Sequence, residues 1–266
     1  MTVEAISENA QLYFLIFVRV LALVEIAPLL SSQGIPQIAK IGLAFFATVA
    51  VYPWIKESGY PIPPNGLFYG ALVIGEALIG IVIGFFLQVV YAIFSAAGQF
   101  FTLQMGFGAS EVFDPLAQIE IPIMGQFFNL MAMFVFIAIG GFQRVFLIGV
   151  FRSFEAAKAL DFVAGREHVF ALVIKSLTGL FEQAMIISFP VLGTLLLVSV
   201  SMGLLAKAAP QMNLLMLGFP ISISVGFLML IFAMPFIIEV VARIIDNSFT
   251  ELMELFSKVR PAGVMP

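Results

Sequence analysis

Two apolar runs, Gly66 to Leu103 and Val169 to Ala206, set the terms on which this chain can fold. Each is 38 residues long; the first carries one charged side chain, Glu76, and the second two, Lys175 and Glu182. As straight helix each would run about 57 Å at about 1.5 Å per residue, against a bilayer core of about 30 Å. Such a run must bend back, protrude from the bilayer or lie deep among other polypeptide. Pro190 with Gly193 offers a break in the second run, and Gly75, Gly80 and Gly84 offer close-packing or bending points in the first. The pairs Gly66/Gly70 and Gly80/Gly84 both have the Gly-x-x-x-Gly spacing that lets helix backbones approach closely.

Composition fixes the solvent. Of 266 residues 62% are apolar and 11% charged, with 30 Phe, far too little charge to cover the surface of a soluble domain of this size. Four shorter apolar segments, Leu12 to Leu30, Ile41 to Ile55, Ile123 to Phe142 and Leu214 to Ile238, bring the nominal total to about six. Ile41 to Ile55 is short for a span of roughly 20 residues. The expected fold is therefore an all-α membrane protein, a single integral membrane domain over 1–266, with bent or hairpin helices. Glu4 and Glu8 stand where a cleaved leader would carry Lys or Arg, so the first apolar stretch is expected to stay in the mature chain. The net charge of -4 forms no basic patch, which argues against nucleic acid, and the absence of cysteine excludes disulfides and thiolate chemistry.

Basic residues orient the chain. Arg144, Arg152, Lys158 and Arg166 lie in the polar stretch 144–168, and Arg243, Lys258 and Arg260 follow Ile238, whereas Gln104 to Pro122 has no Lys or Arg. The positive-inside rule puts the first two regions in the cytoplasm and the third outside. The stretch 104–122 mixes Gly106 and Gly108 with bulky Met105, Phe107 and Phe113 and with the acids Glu111, Asp114 and Glu120. A loop of this composition suits either an outer connector or a soft apolar stopper folded into a pore.

Between Gly203 and Pro220 a polar knot interrupts the apolar sequence. Lys207 is the only charge between Glu182 and Glu239, and Pro210, Gln211 and Asn213 cluster around it. Ionisable residues inside apolar runs cost roughly 2.5 to 3.5 kcal/mol each at a helix centre and call for partners. Arg19, Glu25, Glu76, Lys175, Glu182 and Lys207 are the candidates; Lys175 and Glu182 share a helix face, and Glu239 and Arg243 form an i,i+4 pair. Lys175, Glu239 and Arg243 also suit snorkelling at segment ends. Catalysis finds no support: His168, the only histidine, follows Arg166 and Glu167 in the most charged stretch, and no metal, nucleophile-elbow or phosphate-loop motif is present. No cofactor is expected.

Arg19 followed by Pro28, Pro36 and Lys40, then Glu76, Gln104-Met-Gly with Asp114-Pro115, Pro190 and the Gly203 to Pro220 block together resemble the FliR family of flagellar and type III secretion export-gate membrane proteins over nearly the whole chain. The resemblance implies a non-enzymatic structural subunit of a flagellar export gate in the bacterial inner membrane at the basal body. It also implies partners: FliP-type and FliQ-type membrane subunits, an FlhB-type switch protein and unfolded export substrates. The overlong segments would then be hairpins stacked in a helical assembly, lifted partly out of the bilayer plane, and 104–122 would help to plug the conduit. On that footing Met105, Phe107 and Phe113 are expected as plug side chains with Gly106 and Gly108 bending the backbone, since flexible Met fills irregular gaps and apolar constrictions exclude water. The same side chains suit ordinary helix packing equally well. Arg19, Glu76, Lys207, Pro210, Gln211 and Asn213 are expected in contacts with partner subunits or within the fold. The alternative is a secondary transporter of a small solute, which should show paired broken segments in two halves; no internal repeat of that kind is evident.

Overall fold

The computed structural model describes residues 3–32, 34–57, 59–106, 123–156, 158–159, 166–211 and 213–259, the side chains of 3–8, 214 and 215 excepted. Among the described residues seven helices follow one another: α1 Val3–Ile26, α2 Gln37–Glu57, α3 Gly66–Met105, α4 Ile123–Ala138, α5 Gly141–Ala156, α6 Arg166–Ala208 and α7 Leu214–Val259. Within α5, Val145–Arg152 winds as a π-helix. No strand occurs among the described residues. Among the described residues five helices are long and apolar enough to cross a membrane, six if α4 and α5 count as one broken span, and the chain is an all-α membrane protein.

Neither 38-residue run breaks. α3 holds 40 residues and α6 holds 43, and α6 passes through Pro190, where the sequence offered an interruption. Unwinding there would free several backbone groups in surroundings with no water to take them, a larger cost than the one hydrogen bond proline removes. The Thr194 hydroxyl donates to the Pro190 carbonyl at 2.9 Å. Hydroxyls elsewhere in apolar helix do likewise, Thr48 to the Ala44 carbonyl at 2.7 Å, Ser188 to Ala184 at 2.8 Å and Ser201 to Leu197 at 2.8 Å. A back-bonded hydroxyl needs no outside partner.

Two stretches expected outside helix are helical. Residues 144–156, expected at the start of the charged loop, belong to α5 and bury Val145, Ile148, Gly149, Val150, Ser153 and Phe154. The tail after Ile238 continues α7 to Val259 and buries Val241, Ile244, Ile245, Phe249, Leu252, Leu255, Phe256 and Val259. Apolar residues recur there every three or four positions, so the helix outlasts the uncharged run by keeping its charges on one face.

Contacts gather into two compact units. The first takes its described residues from 1–90, 140–177 and 245–266, the second from 91–139 and 178–244. In the first unit Leu15, Ile16, Val20 and Leu23 of α1 are buried together with Ile79, Ile83 and Phe86 of α3. The Gly80/Gly84 pair makes this possible: a Cβ on Gly80 would run into the Arg19 carbonyl, and one on Gly84 would lie 2.9 Å from Ile26 Cβ. Gly66 and Gly70 have the same spacing and open space around them. In the second unit Gly98 of α3 lies against α4, where a Cβ would meet Gly125 Cα at 2.5 Å, and the Phe101 and Phe128 rings pack at 4.8 Å. The Tyr91 hydroxyl donates to the Asn129 carbonyl at 2.5 Å.

In the same unit the outward faces of α6 and α7 are apolar and uncovered, with Phe189 69% and Phe232 73% exposed. Lipid or other membrane polypeptide must cover them.

Gly98→Val should force α3 and α4 apart and cost about 1–3 kcal/mol, the usual range for overpacking. Monodisperse protein recovered in detergent should fall sharply. Gly179→Ala, which meets nothing within 4 Å, should leave recovery unchanged or raised.

Candidate gate and assembly site

The base of the 104–122 stretch is held in place by two glycines. α3 ends at Met105, and Gly106 turns the chain with φ +86, a left-handed backbone that glycine adopts without strain. A Cβ on Gly106 would also strike the Phe219 ring of α7 at 2.5 Å. Met105 is fully buried, its side chain seated on Gly226 of α7, where a Cβ would come within 2.7 Å of Met105 Cε and 3.1 Å of its Sδ. Phe107, Gly108 and Phe113 lie outside the described residues. Gly226 and Phe219 escaped the sequence reading; a glycine inside an apolar helix was the available signal, since it costs about 1 kcal/mol and so implies a packing reason.

Arg19 and Glu76, 57 positions apart, meet in the first unit. Both are fully buried, and Arg19 Nε donates to Glu76 Oε2 at 2.5 Å. Arg19 also donates through NH1 to Ser153 Oγ at 3.0 Å, and its guanidinium lies 3.6 Å from the centroid of the Phe154 ring. Ser153 in turn donates to the Val150 carbonyl at 2.7 Å. The other carboxylate oxygen of Glu76 accepts from the Tyr60 hydroxyl at 2.5 Å. Burial, and then the Glu76 carboxylate beside it, push the Tyr60 phenol well above its ordinary range, so it remains a donor. Tyr60, Ser153 and Phe154 carried no sequence signal, being common residue types in unremarkable positions.

The remaining charges sort by location. Glu25 takes Lys40 at 3.6 Å and the Gln37 amide at 2.5 Å at the α1–α2 corner, where the buried Lys40 ammonium also donates to the Ser31 carbonyl at 3.2 Å. Lys175 pairs with Glu251 of α7 at 2.7 Å and not with Glu182, although Lys175 and Glu182 share a helix face. Arg144 pairs with Asp246. Glu239 and Arg243 form their i,i+4 pair at 2.8 Å on an exposed face.

The Gly203 to Pro220 block joins α6 to α7 in a hairpin. Lys207 stands in the last turn of α6, where a cation complements the helix dipole, and is exposed with no acidic partner among the described residues. Pro210 and Gln211 form the exposed turn. Asn213 caps α7, its Oδ1 accepting from the Met216 amide at 3.4 Å. Gly218 faces Met202 across the turn, with a Cβ 3.9 Å from Met202 Cε. Of the six assembly candidates the fold thus brings Arg19 and Glu76 into one cluster and Lys207, Pro210, Gln211 and Asn213 into another.

Residues 10–248 match the family described as bacterial export proteins, family 1. The chain belongs to that family. It is 30% identical over 252 residues to the flagellar biosynthetic protein FliR of Bacillus subtilis, covering 93% of this chain and 95% of that protein. It is 27% identical over 248 residues to FliR of Escherichia coli, covering 93% and 94% of the two. It is 30% identical over 251 residues to FliR of Borreliella burgdorferi, covering 92% and 91%. The FliR resemblance read from the motifs is borne out. Each of these relatives is named a flagellar biosynthetic protein. In this export-family chain the buried Arg19–Glu76 pair and the Met105 seat are the two places where single changes should be felt most.

Glu76→Gln leaves a buried guanidinium without its counter-charge and should cost about 3–5 kcal/mol, read as loss of folded chain from the membrane fraction. Glu239→Gln breaks an exposed pair and should shift unfolding by no more than about 0.5 kcal/mol. Gly106→Ala strains a left-handed backbone and meets Phe219, so limited proteolysis should cut the 104–122 stretch faster in that variant than in the parent.

Proposed function

We propose that this chain is a structural subunit of the flagellar protein export gate. In that role it joins FliP-type and FliQ-type subunits in the bacterial inner membrane at the basal body, beside an FlhB-type switch protein, and helps to form and seal a conduit for unfolded export substrates. The observation that carries this is the pair of helices α6 and α7. At 43 and 46 residues they would run about 65 and 69 Å at about 1.5 Å per residue, more than twice a bilayer core of about 30 Å. Their apolar faces stay open for much of that length. Lipid covers only part of such a face, and neighbouring membrane subunits suit the rest. Membership of an export family and the FliR relatives point the same way.

Within the gate, the 104–122 stretch serves as an apolar stopper hung from a fixed base. Met105 and Gly106 anchor it, and Phe107, Gly108 and Phe113 belong to the seal. Lys207, Pro210, Gln211 and Asn213 form the exposed hairpin tip offered to partner subunits.

Deleting the gene from a motile host should abolish swarming and filament export, and the intact chain should restore both and co-purify with FliP-type and FliQ-type subunits. Restored motility without co-purification, or solute uptake by liposomes holding this chain alone, would overturn the reading. Lys207→Glu should lower co-purification severalfold, and Phe107→Asp or removal of Gly106 to Ser110 should raise ion conductance during export, measured as loss of membrane potential.

A further inference from the structure

The π-helical turn Val145–Arg152 is the least ordinary backbone among the described residues, because eight residues wind wider than an α-helix and lose its hydrogen-bond geometry. Its surroundings hold it from three sides. Gly149 admits α1 and α3, a Cβ there lying 2.9 Å from Leu23 Cδ1 and 3.5 Å from Ile83 Cγ2. Phe151 sets its ring edge-on to Trp54 of α2, with centroids 5.0 Å apart. At its end Ser153 accepts from Arg19 and donates back to the Val150 carbonyl inside the turn. Phe154 lies under the same guanidinium.

Arg19 is itself fixed by Glu76, and Glu76 by Tyr60. Hydrogen bonds therefore run without a gap from a tyrosine in the 59–65 connection, through a buried carboxylate and guanidinium, to a carbonyl of the π-helical turn. Buried ion pairs add little net stability, because desolvation offsets their attraction, and well-packed apolar replacements are often neutral or better. What such a set does supply is direction: each bond has one donor, one acceptor and one angle, whereas apolar packing in the same space tolerates several registers.

We propose that Tyr60, Glu76 and Arg19 act as positioning residues that set the register of the π-helical turn against α1, α2 and α3, and that they specify this packing without being needed to stabilise it. Relaxed to α-helical winding, the turn would rotate Phe151 away from Trp54, since a residue in α-helix turns through about 100°.

The chain has no cysteine, so Trp54→Cys with Phe151→Cys in the full-length protein gives a pair read by a short bifunctional maleimide in native membranes, whatever the protein exports. In the otherwise unchanged chain the pair should cross-link efficiently. In the combined background Arg19→Met, Glu76→Leu and Tyr60→Phe, membrane recovery should stay at the parental level while cross-linking falls about fivefold or more, as expected when directional bonds give way to apolar packing. Tyr60→Phe alone should keep full recovery and lose about half of the cross-link, since one of the two donors to Glu76 is gone. Unchanged cross-linking in the triple background would overturn the proposal, and loss of the triple variant from the membrane would show the set to be stabilising. Unchanged cross-linking with Tyr60→Phe would remove Tyr60 from the set.

Discussion

In surroundings without water, a buried charge or hydroxyl is costly unless it finds a partner within the polypeptide, and much of the described structure follows from that one constraint. It explains why α6 runs through Pro190 without a break and why Thr48, Ser188, Thr194 and Ser201 turn their hydroxyls back onto carbonyls of their own helices. It also explains the company Arg19 keeps. A guanidinium with no exposed surface takes a carboxylate, a hydroxyl and an aromatic face, and the carboxylate takes a second donor in Tyr60. Removing Arg19 or Glu76 alone leaves the other charge buried without its counter-charge, so the ion pair is tolerated only as a pair.

Where no polar group has to be satisfied, shape does the corresponding work, and glycine is its instrument. Gly80 and Gly84 let α3 lie on the backbone of α1, Gly98 lets α3 lie on that of α4, and Gly226 leaves a notch that Met105 fills. Close approach gives many weak dispersion contacts in place of a few strong bonds. The Gly66/Gly70 pair shows that spacing is not sufficient. A Cβ at either position would meet nothing within 4 Å.

Much of this was legible in the sequence because it depends on local chemistry. Long apolar runs declare helices, Pro210 and Asn213 declare a turn, and Glu239 with Arg243 is an i,i+4 pair that needs no tertiary knowledge. What escaped depends on which helices meet. Lys175 had a same-face acid in Glu182, yet its partner is Glu251, 76 positions away, because α7 continues past its uncharged run and returns alongside α6. That continuation was itself hidden, since the charges from Glu239 through Arg243 and Asp246 end a hydropathy segment without ending the three-to-four periodicity of Val241, Ile244, Ile245 and Phe249. Tyr60 and Ser153 were invisible for the same reason: a hydroxyl becomes informative only when a buried charge is placed against it. The six assembly candidates were chosen as one class, and the fold divides them between a sealed cluster and an open turn.

The two compact units consequently differ in how their interiors are specified. The first encloses Arg19, Glu76 and Lys40 with directional bonds. In the second, the charged side chains among the described residues, Glu182, Lys207, Glu239 and Arg243, are all exposed, and the interior is mostly Phe, Ile, Leu, Val, Ala and Met, with the flexible Met105 among them. An interior of that second kind is the easier to rearrange, because a thioether and packed rings can shift without leaving a donor or carboxylate stranded. The stretch proposed to seal the conduit leaves the helical frame from the second unit, at Gly106. A stopper that must yield to a passing polypeptide and then reseal is better hung from apolar packing than from ion pairs, since each opening would otherwise have to separate buried charges. The buried charges of the first unit sit where the same logic asks for one fixed arrangement.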